Sequence, residues 1–227
     1  MNAEEPVTVW TRPERGARGP AGGYSRARIT AAAIELADAD GLAAVSMRRV
    51  AGKLGTGPAS LYRYVAGRDD LLDLMSDEVA GEVDLGVPLT GDPVEDLLSL
   101  AVRTKTAQLR HPWALDIPPE PLRLGPRGLD YLEYALRALE PAPLSGGAKL
   151  EAIGLLNAQV TVFARTELQG RRADTGRRAA QAAYLAQAAA AGDHPVLAAT
   201  MADAAAAPPV EDLFERLVRR VLTGLLG

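Results

Sequence analysis

Proline and glycine in this chain fall mostly between its apolar-periodic runs rather than inside them. Breaks occur at Gly41, Gly55-Thr56-Gly57-Pro58, Ala66-Gly67, Gly86 to Gly91, His111-Pro112, Pro118-Pro119-Glu120-Pro121, Pro141-Ala142-Pro143, Gly192 and Pro208-Pro209. Proline lacks the N–H a helix interior needs and glycine carries the highest entropic cost of ordering, so such clusters end helices. Between them, apolar residues recur three and four apart, the period of a helix with one buried face. The spacing predicts helices at 25–40, 46–54, 58–64 and from 68 onward, then at about 93–110, 126–139, 146–169, 176–191, 195–206 and 210–226. Strand-like alternation is lacking and aromatic residues make up only 4%, which disfavours a sheet-rich fold. The fold class expected is all-α.

Composition narrows the chemistry. With 227 residues, 48% hydrophobic, the chain can bury a sizeable core. It has no cysteine, hence no disulfide framework, zinc-thiolate cluster or cysteine nucleophile. His111 and His194 are the only histidines, too few for a multi-histidine metal site, and neither a metal nor a cofactor is expected. No run approaches the roughly 18 apolar residues of a membrane span. With no apolar leader either, the expectation is a cytoplasmic protein without a membrane partner.

The net charge of −4 looks wrong for a nucleic-acid partner, but it is unevenly spread. Residues 12–68 carry ten basic and four acidic side chains, a net +6, whereas 73–227 carry a net −6. Three units are therefore expected: an N-terminal arm over 1–23, read as disordered from its Pro/Gly content; a basic unit over 24–72; and an acidic helical unit over 73–227.

Within the basic unit, Ser46–Leu54 and Pro58–Tyr64 are two short helices with a glycine-bearing turn, the length and spacing of a helix-turn-helix. Pro58, Ala59, Ser60, Tyr62, Arg63 and Tyr64 give the second helix an outer face of small and polar residues, suited to reading base edges. Arg48, Arg49 and Arg68 flank it and can grip phosphates. Two solvated helices with surface arginines would show the same spacing.

Residues 25–72 go further. Ile29-Thr30-Ala31-Ala32-Ala33 with Leu36, Gly41-Leu42, Val45-Ser46-Met47-Arg48-Arg49-Val50-Ala51, Leu54-Gly55 and Leu61-Tyr62-Arg63-Tyr64-Val65-Ala66-Gly67-Arg68-Asp69-Asp70-Leu71-Leu72 resemble the N-terminal domain of TetR-family transcriptional regulators. Thr56-Gly57 departs from the Val-Ser common in that family, so position 57 offers no hydroxyl to a phosphate. The resemblance implies that Ser46 caps a helix beside a phosphate and that Arg48 reaches a base. It further implies that Ala59 and Ser60 face base edges, and that Tyr62 and Arg68 hold phosphates, with Arg49, Pro58, Arg63 and Tyr64 nearby.

More loosely, His111-Pro112-Trp113, Leu124-Gly125-Pro126, Leu129–Leu139 and Lys149–Leu168 resemble the C-terminal domain of the tetracycline-repressor subgroup. The implied activity is that of a repressor that binds a palindromic double-stranded DNA operator as a homodimer and leaves it when a small-molecule effector binds. Candidate effector contacts are His111, Trp113, Tyr131, Tyr134, Asn157, Gln159, Thr161, Phe163 and Glu167. Asn157, Gln159 and Thr161 interrupt an otherwise apolar helix. Candidate dimer contacts are Leu150, Ile153, Leu156 and Val160 on one helix, and Phe214, Leu217, Val218, Val221 and Leu225 on the last, all at helical spacing; an ordinary intrachain core has the same period. An all-helical enzyme, or an adaptor binding protein instead of DNA, are the alternatives. No phosphate loop or nucleophile elbow supports the first, and the retained arginines disfavour the second.

Overall fold

The computed structural model describes residues 8–13, 24–118, 123–172, 175–206 and 212–227. Among them are ten α-helices and no strand: α1 (Arg26–Asp40), α2 (Met47–Lys53), α3 (Pro58–Leu61), α4 (Arg68–Ala80), α5 (Pro93–Arg110), α6 (Pro126–Ala138), α7 (Gly146–Arg172), α8 (Thr175–Ala190), α9 (Pro195–Ala206) and α10 (Leu213–Leu226). Short 3-10 turns occupy Leu42–Ala44 and Pro112–Asp116. Helix ends follow the local chemistry. Ser25 Oγ accepts from Arg28 N and Ser46 Oγ from Arg49 N, each at 3.2 Å, satisfying donors that the first turn leaves open. Gly41 ends α1 at φ 81°, where a side chain would be strained. Pro58 and Pro93 open α3 and α5, where a missing N–H costs nothing.

Two cores result. The first, the head, gathers α1–α4 around fully buried Ile29, Leu61, Val65, Leu71 and Met75. The second, the body, joins α5, α6, α7 and α10 around Leu97, Leu100, Leu139, Leu156 and Leu222. Position 72 lies inside α4, and the head core continues along that helix through Leu74, Met75 and Val79. It also takes in Trp113 from beyond α5. Helix α4 is therefore shared. Its carboxylates Asp70, Asp73 and Asp77, at i, i+3 and i+7, lie along one face. Asp70 receives Arg12 at 2.6 Å, and Asp73 receives Arg123. Buried Asp77 accepts the Gly128 N–H at 2.9 Å. That last bond caps α6 from outside, because its own N-cap, Gly125, makes no side-chain bond.

Part of the arm departs from expectation. Residues 8–13 are ordered against the head: Val9 is fully buried in its core, Trp10 packs beside it, and Arg26 donates to the Arg12 carbonyl at 2.8 Å. Val9 and Trp10 supply apolar area that the surrounding glycines and prolines disguise. Arg15, Arg18 and the rest of 1–23 lie outside the described residues.

Trp10 also touches the body. A Cβ on Gly125 would stand 2.5 Å from Trp10 Cζ2 and 2.4 Å from Asp77 Oδ1. Neither a packed indole nor a buried carboxylate can yield cheaply. Gly125→Ala is expected to destabilise the protein by about 1–3 kcal/mol through overpacking, read as a lowered urea midpoint. An unchanged midpoint would mean that residues 8–13 are not held there.

Candidate DNA-reading head and effector cavity

The candidate reading face is built by α2 and α3. Pro58 and Ala59 are exposed, Ser60 is half-buried, and Tyr62 is 54% exposed with Arg63 beside it. Arg48 is exposed on α2 and makes no ion pair among the described residues. Ser46 caps α2. Three residues differ from expectation. Tyr64 is 6% exposed and belongs to the head core, so its ring is not on the reading face; α3 proper ends at Leu61 and residues 62–64 continue as a turn. Arg49 is paired with Asp40, which competes with any phosphate. Arg68 is exposed at the start of α4 and donates to the carbonyls of Val45 and Leu42, both at 3.4 Å. These long bonds aim it along the head's flank.

The body holds a cavity of about 380 Å³. Tyr131, Asn157 and Thr161 line it, as the sequence predicts. Tyr131 on α6 donates its hydroxyl to Asn157 Oδ1 on α7 at 2.6 Å and lies 3.4 Å from Thr104 Oγ1 on α5. Burial pushes the Tyr131 pKa up, against weaker opposition from Thr104, Arg103 and Asn157, so the group stays a neutral phenol. Gln108 donates to Thr161 Oγ1 at 3.3 Å. The remaining walls are Ser76, Val79, Ala80 and Val83 at the end of α4, with Ala107, Ala114, Leu115 and Ile117. Periodicity could not find these, because small and apolar residues look the same in a wall as in a core.

The other candidate contacts are engaged elsewhere. His111 and Trp113 both bond Asp38 of α1. Tyr134 donates to the Val87 carbonyl at 2.8 Å and accepts from Arg103 at 3.1 Å. Phe163 packs edge-on against Phe214, centroids 5.3 Å apart. Glu167 pairs with Arg171 at 2.6 Å and Lys105 at 3.3 Å. Partial burial works against its charge, but those two partners prevail and hold its pKa below the usual value. Gln159 does not line the cavity. Asn157 and Thr161 are i, i+4 neighbours on one face of α7, and a residue two along points to the far side.

Residues 29–75 match the family described as bacterial regulatory proteins, tetR family, and residues 87–227 match the tetracyclin repressor-like C-terminal domain. The chain belongs to the TetR family. Among curated relatives, the HTH-type transcriptional repressor DrrR1 of Streptomyces coeruleorubidus is 36% identical over 96% of this chain and 83% of its own length. An HTH-type transcriptional regulator of Saccharopolyspora erythraea is 34% identical over 85% of this chain and 81% of its own length. Among solved structures, ActR of Streptomyces coelicolor in complex with actinorhodin superposes with a TM-score of 0.75 at 29% identity, covering 91% of this chain and 97% of that one. This TetR-family protein is a ligand-responsive, DNA-binding transcriptional repressor.

Within this TetR-family fold, the candidate dimer contacts divide. Ile153, Leu156, Val160, Phe214 and Val218 are buried in the chain's own body core, which corrects their assignment to an interface. Leu150 and Val221 are exposed at 52% and 39%, while Leu217 and Leu225 are half-buried. The sequence reading overlooked a second stripe on α7, where Leu155 is 53% and Val162 62% exposed with exposed Ala158 between them, and Leu213 on α10 at 48%. Helix α7 is apolar on two sides, and periodicity alone does not say which side faces the same chain. Among the described residues no helix is long and apolar enough to cross a membrane.

Proposed function

We propose that this repressor binds a palindromic operator as a homodimer through Arg48, Ala59, Ser60, Tyr62, Arg63 and Arg68, and that a small molecule entering the Tyr131–Asn157 cavity releases it. The observation that carries this reading is the cavity's position. Its walls include the end of α4, whose first turns form the head core. An occupant that prefers one arrangement of those walls therefore has differential affinity for two head positions, which is what allosteric release requires. None of the thirteen lining residues is ionisable to a charge near neutral pH, and an unpaired charge is costly to bury. The effector is therefore uncharged where it meets the walls, with an oxygen or nitrogen facing Tyr131 and Asn157. The likeness to ActR, solved with actinorhodin, supports an organic effector. The site of action is the cytoplasm.

Two heads related by a two-fold axis read two half-sites in register, which a single short α3 cannot do. The stripe of Leu155, Ala158 and Val162 on α7 and Leu213 and Val221 on α10 supports pairing with a second copy. The division into an arm, a reading unit over 24–72 and a sensing unit over 73–227 describes these roles, with α4 as the shared element.

The test is DNA binding by the full-length protein to fragments of its own upstream region, titrated with salt. Specific retention at moderate salt is expected, and Arg48→Ala should weaken it by about 1–3 kcal/mol while relaxing base preference at one position of each half-site. Absence of binding to any such fragment at low salt would overturn the reading.

A further inference from the structure

His111 closes α5, and its ring lies between carboxylates of two different helices. Nδ1 is 2.7 Å from Asp38 Oδ1 on α1, and Nε2 is 2.8 Å from Glu82 Oε1 just past the end of α4. A neutral imidazole has one N–H and one lone pair, whereas ionised carboxylates only accept. Two contacts of hydrogen-bond length to two carboxylates therefore specify the imidazolium, donating from both nitrogens. The side chain itself is only 12% exposed.

The neighbourhood is arranged around that charge. Trp113 donates Nε1–H to the same Asp38 Oδ1 at 2.5 Å and stands edge-on to the imidazole, centroids 5.6 Å apart. The other oxygen of Glu82 takes Arg110 at 3.1 Å. Facing the site are thus Asp38 from α1, Glu82 from the end of α4 and Arg110 from α5. Across the adjoining groove stand Asp40, itself paired with Arg49, Asp116, and Arg165 of α7, which donates to the Leu115 carbonyl. With His111 protonated, the inner group of two cations and two anions is balanced.

The segment bearing these groups also walls the effector cavity. Ala107 and Gln108 come one turn before His111, and Ala114 and Leu115 follow Trp113 directly. One side of the segment meets the cavity and the other grips the head.

We propose that His111 is a positioning residue for DNA binding: as an imidazolium it ties α1 of the reading head to the cavity wall, and loss of its proton slackens the tie. The DNA-binding half of this rests on the function proposed above; the tie itself does not.

Burial works against the charged ring, but the bonds and charges of Asp38 and Glu82 outweigh it, and the His111 pKa is raised above 6.5. A histidine raised on folding stabilises the folded state fully below its unfolded pKa. That contribution is lost as pH rises through the raised value.

The experiment is a pH titration of the histidine ring nitrogens by NMR on the full-length protein. The chain has only two histidines, so the signals that persist in His194→Gln are those of His111. The ring should titrate with a midpoint raised above the ordinary histidine value, both nitrogens carrying protons below it, and that midpoint should fall in Asp38→Asn. A His111 midpoint that is not raised above the ordinary value of about 6.5, or is indifferent to Asp38→Asn, overturns the tie, and this measurement needs neither DNA nor a His111 variant. Next, affinity for an upstream DNA fragment is followed from pH 6 to 9. The wild type should weaken across the His111 midpoint, and His111→Gln should be flat over the same interval. Parallel profiles for the two proteins overturn the positioning role. Absence of DNA binding by both, with the NMR result intact, overturns the proposed function and the positioning role with it, but leaves the tie.

Discussion

Trp113→Ala is expected to lower the unfolding free energy by about 3–5 kcal/mol, the usual cost of emptying a tryptophan site in a core. Trp113 lies in a 3-10 turn after α5, in the chain segment of the body, yet it is 2% exposed inside the head core. Removing the indole leaves a void beside α1 in the head core that cannot collapse without pulling the two units together. It also takes the Nε1–H donor from Asp38. Trp113→Phe keeps most of the packing and loses the donor, so it should cost markedly less. Urea unfolding followed by circular dichroism measures both. A loss below about 1 kcal/mol for Trp113→Ala, within the range of ordinary surface substitutions, would show that the head does not depend on the body for its core.

Val162→Glu is expected to turn the proposed homodimer into monomers at micromolar concentration. Val162 is 62% exposed and continues the α7 stripe from Leu155 and Ala158. In a two-fold interface each substitution occurs twice and the two charges approach each other. A charge buried without a partner costs about 3–5 kcal/mol, roughly two to four orders of magnitude in the dimer dissociation constant. Sedimentation equilibrium reads that change directly. Operator affinity should fall with it, since a monomer reads one half-site, while the unfolding midpoint of the monomer should move little because the residue faces outward. A dimer of undiminished affinity would place the interface elsewhere, with the exposed α8–α9 pair as the next surface to probe.

Helix positions could be read directly, because caps and breaks are local: Ser25, Ser46, Gly41 and Pro58 act within a turn or two of where they stand. The exposure of Pro58, Ala59, Tyr62 and Arg63 was legible for the same reason, since exposure on a short helix follows from spacing. Tyr64 was misassigned because residues 62–64 leave helical register and turn the ring inward.

The cavity was legible only where polar residues interrupt an apolar helix, at Asn157 and Thr161, and at Tyr131. His111 and Trp113 carry chemistry suited to a ligand, but their partner Asp38 lies 73 and 75 residues away. No spacing rule reaches that far. Val9 and Trp10 were hidden by the composition around them, and Gly125, whose bare backbone admits Trp10, looked like a plain helix cap.

By itself the sequence determined an all-helical chain, a helix-turn-helix of stated residues and the family to which it belongs. These depend on hydrogen bonds and dihedral preferences that act within a few residues. Tertiary structure alone decided which apolar faces are consumed inside the chain, which polar groups meet a cavity and which join the two units. Those outcomes depend on what each face meets. Burial rewards any apolar or paired polar contact without regard to its distance along the chain, so a helix displays its face in the sequence but not its partner.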